Sequence, residues 1–365
     1  MPQRQSHRQQ KLISIFVEIH ENQHYLYQTI INSGIMNRLE AVMSKGYSGR
    51  ISNSKYIPHL KDDHYCIRPL ELDGDAPKHF VYAYFYTQDG TVRRSNPRTW
   101  ERFIVKSAEK WYPHETVIEY LLNRIGQVLG LRMNEVKLLI INNQIRFLSK
   151  YFLRPNEILI HGAELCGAHL ADLQFAEVIA KDKNSARELF TFEFVHEAIE
   201  GVFGPESESI LIDLVKMITF DAIVGNNDRH FYNWGVIRTS SRPGPSPRFS
   251  PIYDSARGLY WNSPDKEIPN IWSHRDTKGM RYIHSASPRI SLESNTACNH
   301  FELLEYLVST NETYRSTIQG LTNEISEQYV LDMYNSEFSR FFIPERNSLV
   351  KWTLQMRFSI IRKLL

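Results

Sequence analysis

Cysteine is scarce: Cys66, Cys166 and Cys298 are the three in 365 residues. An odd count of distant cysteines without a Cys-x-x-Cys pair argues against a disulfide framework and a zinc ribbon, and points to a reducing compartment. Long apolar runs are missing too, since no stretch approaches the ~18 residues of a membrane span. The opening "MPQRQSHRQQKLISIFVEIHENQ" has a basic lead, but Glu18 interrupts its apolar stretch after Leu12 to Val17. No small-residue cleavage site follows, so it does not read as a signal peptide. Excess charge of one sign is absent: the formal net charge is +2, too small to select nucleic acid or acidic lipid. There is no polybasic cluster or amphipathic anchor for a membrane surface, and no internal repeat. These absences lead to the expectation of a cytoplasmic protein with no membrane partner.

What is present is ordinary globular composition, 42% hydrophobic, and a length that suggests two domains or lobes at roughly 150 residues each. Residues 11–46 read as helices broken by Gly34 and Gly46, and "ISNSKYIPHLKDDHYCIRPLEL" reads as a short hairpin or wing. Together they resemble a winged helix-turn-helix, which would give residues 1–75 a DNA or protein partner. The basic excess there is mild, six Lys and Arg against three Glu in residues 1–50, and a plain helical subdomain is the alternative.

From residue 79 the pattern turns to strands. "HFVYAYFYT" and "RFIVKS" flank a "QDG" turn, and "VKLLIINNQIRFLSKYF" reads as a hairpin about Asn142 and Asn143. Between them "ETVIEYLLNRIGQVLGL" carries Val117, Ile118, Leu121, Leu122, Ile125, Val128 and Leu129 on one helical stripe. Beyond about residue 160 the chain reads as helical, apart from short strands near 234–238 and 248–253. "RTSSRPGPSPR" between those strands has the composition of an exposed connection. The domains expected are 1–75, 76–158 as a small β-rich lobe, and 159–365 as a mostly helical lobe, in the α+β class.

The chemistry concentrates in "AIVGNNDRHFYNWGVIR", residues 222–238. A plain turn needs one or two short polar residues, and this segment holds five. Asp228 precedes Asn233 by the Asp-x-x-x-x-Asn interval of a kinase catalytic loop, in which the aspartate accepts the proton of the attacking hydroxyl and the asparagine holds magnesium. A metal on a triphosphate takes hard oxygen ligands from more than one segment. Asp254 in "FSPIYDSARGL", after a short apolar strand, supplies the second. Alone it would be a turn cap; in order after Asp228 and Asn233 it reads as a metal ligand.

Lys106, ending an apolar strand, is the candidate for gripping phosphate oxygens. Glu115 and Glu119 on the following helix are both candidates to hold it, and their four-residue spacing puts them on one face. His230 lacks a second His or Cys at a metal-site interval and reads as structural, orienting Asp228. Arg229 either holds the loop or meets a phosphate. Asn226 and Asn227 read as turn residues, with one of them reaching the nucleotide as the alternative.

The blocks "FIVKS", "IEYLLNRIGQVLGL", "DAIVGNNDRHFYNWGV" and "PIYDSAR", in that order within about residues 79 to 335, resemble the HipA-like serine/threonine kinases, within the wider protein-kinase and phosphoinositide-kinase fold. The resemblance implies a bilobal kinase-like fold, with ATP and Mg²⁺ as cofactors and a protein Ser or Thr as acceptor, the chain itself included. It implies Lys106 on the ATP phosphates with Glu119 as its partner, Asp228 as catalytic base, and Asn233 and Asp254 on magnesium. "NQIRFLSKYFLR" would run into the hinge and place adenine near Tyr151, Phe152 and Leu153. Two departures stand out. The order is Asp-Arg-His, where eukaryotic kinases place His-Arg before the Asp. The serine-bearing, glycine-rich phosphate loop is not recognisable, and the corresponding "TQDGTVRRSNPRTWERF" offers one Gly, with Ser95 and Thr99 as hydroxyls. The resemblance also implies a toxin beside an antitoxin, or a secreted effector. The alternatives are a lipid or small-molecule kinase of the same fold, or a non-catalytic DNA-binding regulator that senses nucleotide.

Overall fold

A computed structural model describes residues 51, 53–68, 78–108, 114–240 and 244–365. The helices expected over 11–46, and the winged helix-turn-helix they would complete, lie outside the described residues.

Alternating aromatic and β-branched residues bury one face by pairing into a sheet. β1 (Tyr65–Arg68), β2 (Lys78–Ala83), β3 (Glu101–Ser107), β4 (Val136–Ile141) and β5 (Gln144–Lys150) form one antiparallel sheet in the order β1-β2-β3-β5-β4. The β4–β5 hairpin turns on Asn142 and Asn143, whose φ values of 50° and 57° are the left-handed pair a two-residue turn requires. The stretch read as a separate hairpin or wing instead supplies β1, an edge strand registered from Tyr65 opposite Ala83 to Arg68 opposite Phe80. Its apolar side chains Tyr65 and Ile67 cover the cluster of Val81, Phe103, Val105 and Leu148, so the alternation is satisfied by this sheet and not by a hairpin of its own.

Register also corrects the expected phosphate loop. Lys78 pairs with Lys106 at one end of the β2–β3 ladder and Ala83 with Glu101 at the other, five residues or about 17 Å away. "TQDGTVRRSNPR" therefore leaves the sheet at the end remote from Lys106. There it closes on itself, Trp100 Nε1 donating to the Arg93 carbonyl at 2.9 Å and Thr99 Oγ1 to that of Asn96 at 2.8 Å. The β1–β2 connection, residues 69–77, lies outside the described residues.

Helix α1 (Glu115–Val128) lies on β4 and β5. Its stripe of Val117, Ile118, Leu121, Leu122 and Ile125 is fully buried, at about 1.5–3 kcal/mol per side chain. That fixes the rotation of the helix, and with it the direction of Glu119. Asn123 donates to the Asn134 carbonyl at 2.9 Å, and Asn134 in turn donates to Ser149 and to the Lys150 carbonyl.

The helical lobe begins with a small sheet, β6 (Glu157–His161), β7 (Gly235–Thr239) and β8 (Arg248–Phe249), paired in that order. Its helices are α2 (Gly162–Leu170), α3 (Leu173–Lys181), α4 (Lys183–Leu189), α5 (Phe192–Phe203), α6 (Ser207–Val224), α7 (Ile268–Ser273), α8 (Met280–Ser285), α9 (His300–Thr310), α10 (Glu312–Thr322), α11 (Glu324–Met333) and α12 (Pro344–Arg362). Every residue of α6 from Met217 to Val224 is buried, the mark of a helix packed all round; its neighbours are α5, α9, α10 and α12. It stops at Gly225, φ 68°, where a Cβ would stand 2.8 Å from the Arg357 guanidinium. Glycine is needed there both for the left-handed turn and for the space. The chain that follows is delivered to the cleft edge of the small sheet.

Candidate active site

The five polar residues after Gly225 are consumed in building one rigid loop. Asp221, a lone carboxylate inside the apolar "ITFDAIV", is buried and receives both Nε and Nη2 of buried Arg229 at 2.9 Å. The same guanidinium donates to the carbonyls of Asn233 at 3.1 Å and Tyr253 at 2.5 Å, and to Ser255 Oγ at 2.6 Å. Arg229 thus holds the loop, one of the two roles its sequence allowed. Asn226 donates to Asp221 at 2.8 Å and accepts from the Asp228 amide at 3.3 Å. Asn233 donates from Nδ2 to the Asp228 carbonyl at 3.0 Å, which leaves its amide oxygen as the acceptor. His230 Nδ1 accepts from the Tyr232 amide at 3.3 Å. Among the described residues no three His, Cys, Asp or Glu side chains gather into a metal cage.

The second segment is tied to the loop after α1. Asn134 donates its amide to the Ile252 carbonyl at 3.0 Å, and the Ile252 amide donates to that of Arg132 at 2.8 Å. Asp254 follows at φ 52°, a sparsely populated conformation that Asp tolerates better than most residues and that clusters at functional sites.

Both segments meet β3 and α1 at Lys106. Its ammonium lies 2.5 Å from Asp254 Oδ1 and 2.9 Å from Glu119 Oε1. Geometry therefore chooses Glu119; Glu115 lines the same cavity. Burial disfavours charge on Lys106, but the Asp254 and Glu119 carboxylates outweigh it and hold the ammonium above the ordinary lysine range. Burial likewise raises Asp254, yet Lys106 and Lys78, the latter 3.8 Å from Oδ2, win and hold that carboxyl well below its ordinary value. Glu119 is the more deeply buried carboxylate and shares its one close cation, so burial raises it.

These groups surround a cavity of about 330 Å³ lined by Lys106, Glu119, Asp228, Asn233 and Asp254. The five sequence-derived candidates for catalysis, phosphate and metal thus come together. Tyr151, Phe152 and Leu153 do not line it. They follow β5 where the Tyr151 amide donates to the Arg102 carbonyl at 2.8 Å, and the Phe152 ring lies 5.5 Å from that of Tyr253. The donor set suits Mg²⁺: one carboxylate and one amide oxygen leave room for substrate phosphates and water, which is how Mg²⁺ is usually held, in contrast to an all-protein cage.

Sequence reasoning missed Asp221, Lys78, Arg257, Arg289 and His300. Asp221 was visible in principle, because a carboxylate in a buried apolar helix demands a partner. Lys78 needed the strand register, and the others depend on the tertiary path of the chain.

His300, fully buried, donates from Nε2 to the Asn226 carbonyl at 2.9 Å. Burial, reinforced by the Arg357 charge, pushes it down to about 3. The unfolded chain takes that proton near pH ~6.5 and the folded one does not, so stability is lost as pH falls through this window, by up to ~1.4 kcal/mol per unit. His79, pushed down to about 4 mainly by burial, acts in the same direction. Melting temperature should fall from about pH 7 to about pH 5, and fall less in His300→Gln, which keeps a donor. Parallel declines in both proteins contradict this assignment.

The geometry agrees with what the chain is similar to. It is 24% identical over 196 residues to the serine/threonine-protein kinase CtkA of Helicobacter pylori, covering 54% of this chain and 56% of that protein. The chain thus matches a little over half of that relative's length. A crystal structure of an H. pylori proinflammatory kinase CtkA superimposes with a TM-score of 0.65 at 19% identity, over 84% of this chain and 96% of that one; the fold is the bilobal, α+β, kinase-like one. HipA of Shewanella oneidensis MR-1, from a toxin antitoxin complex with HipB and operator DNA, aligns with a TM-score of 0.44 at 12% identity, over 80% of this chain and 65% of that one. No described helix is long and apolar enough to cross a membrane. The HipA-like C-terminal domain matches residues 70–328, well over half of the chain, and the protein belongs to that family.

Proposed function

We propose that this chain is an ATP- and Mg²⁺-dependent protein kinase that transfers the γ-phosphoryl group to a Ser or Thr hydroxyl of a protein. The observation that carries the reading is the Lys106 ammonium shared by Glu119 and Asp254 in a cavity that also holds Asp228 and Asn233. Lys106 grips phosphate oxygens, with Glu119 fixing its position from α1. Asp228 orients the acceptor hydroxyl and takes its proton. Arg229 and Asn226, both donating to buried Asp221, hold the loop that carries Asp228, whose amide donates to Asn226. Asn233 and Asp254 would hold the Mg²⁺, which supplies charge neutralisation on the transferring phosphoryl oxygens. The adenine would lie towards Tyr151, Phe152 and Leu153, where the chain passes from one lobe to the other. Catalysis on this plan is positioning and electrostatics, without a covalent enzyme intermediate.

The test is incubation of the pure protein with γ-labelled ATP, Mg²⁺ and protein acceptors, with the products mapped by mass spectrometry. Label on Ser or Thr of an acceptor or of the chain itself is expected. Label confined to an added phosphoinositide or small molecule overturns the protein-kinase reading.

A further inference from the structure

The Asp228 carboxylate is paired with two arginines, one more cation than holding a general base in place calls for. Arg289 donates from Nη2 to its Oδ1 at 2.7 Å, and Arg257 Nε lies 3.2 Å from its Oδ2. Both arginines line the cavity with Lys106 and Asp254.

The two are held differently. Arg257 follows Asp254 by three residues and lies over the Trp261 ring at 5.2 Å. Arg289 sits on a strap, "SPRISL", that is fastened from below. Buried Arg187 donates to the carbonyls of Pro288, Thr296 at 2.9 Å and Cys298 at 2.7 Å, while Ser291 accepts the Phe192 amide at 2.8 Å and donates its hydroxyl to the Arg187 carbonyl. Ile290 and Leu292 are buried beside it. The strap fixes the backbone and leaves the guanidinium to choose its partner. Its Nε is buried with no hydrogen-bond partner among the described residues, so Asp228 uses only part of a fork with five donors.

We propose that Arg289 is a further catalytic residue, whose guanidinium passes from Asp228 to the phosphoryl group during transfer. This rests on the kinase reading. In the step, the acceptor oxygen bonds to the γ-phosphorus as the bond to the β–γ bridging oxygen breaks. That bond's electron pair leaves with ADP, and the hydroxyl proton passes to Asp228. Asp228 accepts from Nη2 of Arg289 at 2.7 Å, while the buried Nε of the same guanidinium has no partner among the described residues. Charge on the phosphoryl oxygens of the same cavity then offers the fork a better partner, in the bidentate geometry guanidinium and phosphate share. An arginine in this role is worth about 10³–10⁵ in kcat elsewhere. With Lys106 and Arg257 still in place, removal of Arg289 should cost nearer ~10²–10³.

Steady-state transfer by the full chain, with Mg²⁺, ATP and casein or myelin basic protein as acceptors, tests this. In Arg289→Ala, kcat should fall at least about 100-fold while the KM for ATP stays within about threefold. Millimolar guanidinium chloride should restore part of the lost rate, and Arg289→Lys should fall between wild type and Ala. A merely structural role predicts a lowered melting temperature without rescue, and an inhibitory clamp predicts a rise in kcat. Either result overturns the proposal, as does a kcat within about threefold of wild type. An inactive wild-type protein removes the kinase reading itself, and this inference with it, whereas an active wild type with an unaffected variant removes only the inference.

Discussion

Asp228→Asn should abolish phosphoryl transfer, by about 10²–10⁴ in kcat as expected for a lost general base, and should leave ATP binding intact or slightly tighter. The reason for the second half is electrostatic. The carboxylate neutralises Arg289 and Arg257 at rest, and the isosteric amide frees both for the triphosphate. The loop itself should survive. Asp228 joins it through its backbone amide and carbonyl, which bond Asn226, His230 and Asn233, and none of these contacts uses the carboxylate. Transfer by quenched-flow and ATP affinity by calorimetry separate the two effects. Undiminished transfer contradicts the base assignment, and loss of both activities with an unchanged fold contradicts the electrostatic one.

Lys106→Met should remove both transfer and most affinity for Mg²⁺ and ATP, and should destabilise the protein in a pH-dependent way. It leaves Glu119 and Asp254 facing one another without the shared ammonium; Asp254 retains Lys78 at 3.8 Å. Glu119 escapes by taking a proton, which limits the cost to about 1–3 kcal/mol. Its carboxyl is already raised by burial in the native protein, and removing the nearest cation raises it further. The folded state then binds more protons than the unfolded one above the ordinary glutamate range, so stability falls as pH rises through that window. The deficit in melting temperature relative to wild type should shrink as pH falls from about 8 to about 5, opposite in sign to the behaviour traced to His300. A deficit that is constant or grows with acid would show that Glu119 is not the partner Lys106 leaves behind.

How much of this site was readable from the chain follows from the distances involved. Asp228 and Asn233 were legible because phosphate and metal chemistry demand particular residue types within one short loop. Lys106 was legible at the end of an apolar strand, and Asp254 because a metal on a triphosphate calls for a second hard ligand downstream of Asp228 and Asn233. Glu119 and Glu115 were not separable by spacing, since residues four apart share a helix face; the fully buried stripe of α1 set the rotation that brings Glu119 to within 2.9 Å of Lys106. The phosphate loop was misplaced for a similar reason. A glycine turn between two strands looks the same from either end, and only the pairing of Lys78 with Lys106 shows which hairpin end faces the cleft. Arg289 had no sequence signature at all: it reaches Asp228 across 61 residues because Arg187 fastens the intervening strap. The fold class was easier, since strand alternation and helical stripes are repeated many times along the chain and a single misread element does not change their sum.

On the proposed function, Lys106, Asn233 and Asp254 form a site for a nucleoside triphosphate with its magnesium. Calorimetric titration of ATP into the protein, with and without Mg²⁺ and then into Asp254→Asn, addresses it most directly. Mg²⁺ should strengthen binding at least about tenfold in wild type, and the variant should lose this dependence. Equal affinity with and without Mg²⁺ in wild type, or a variant that keeps the full metal dependence, would contradict it.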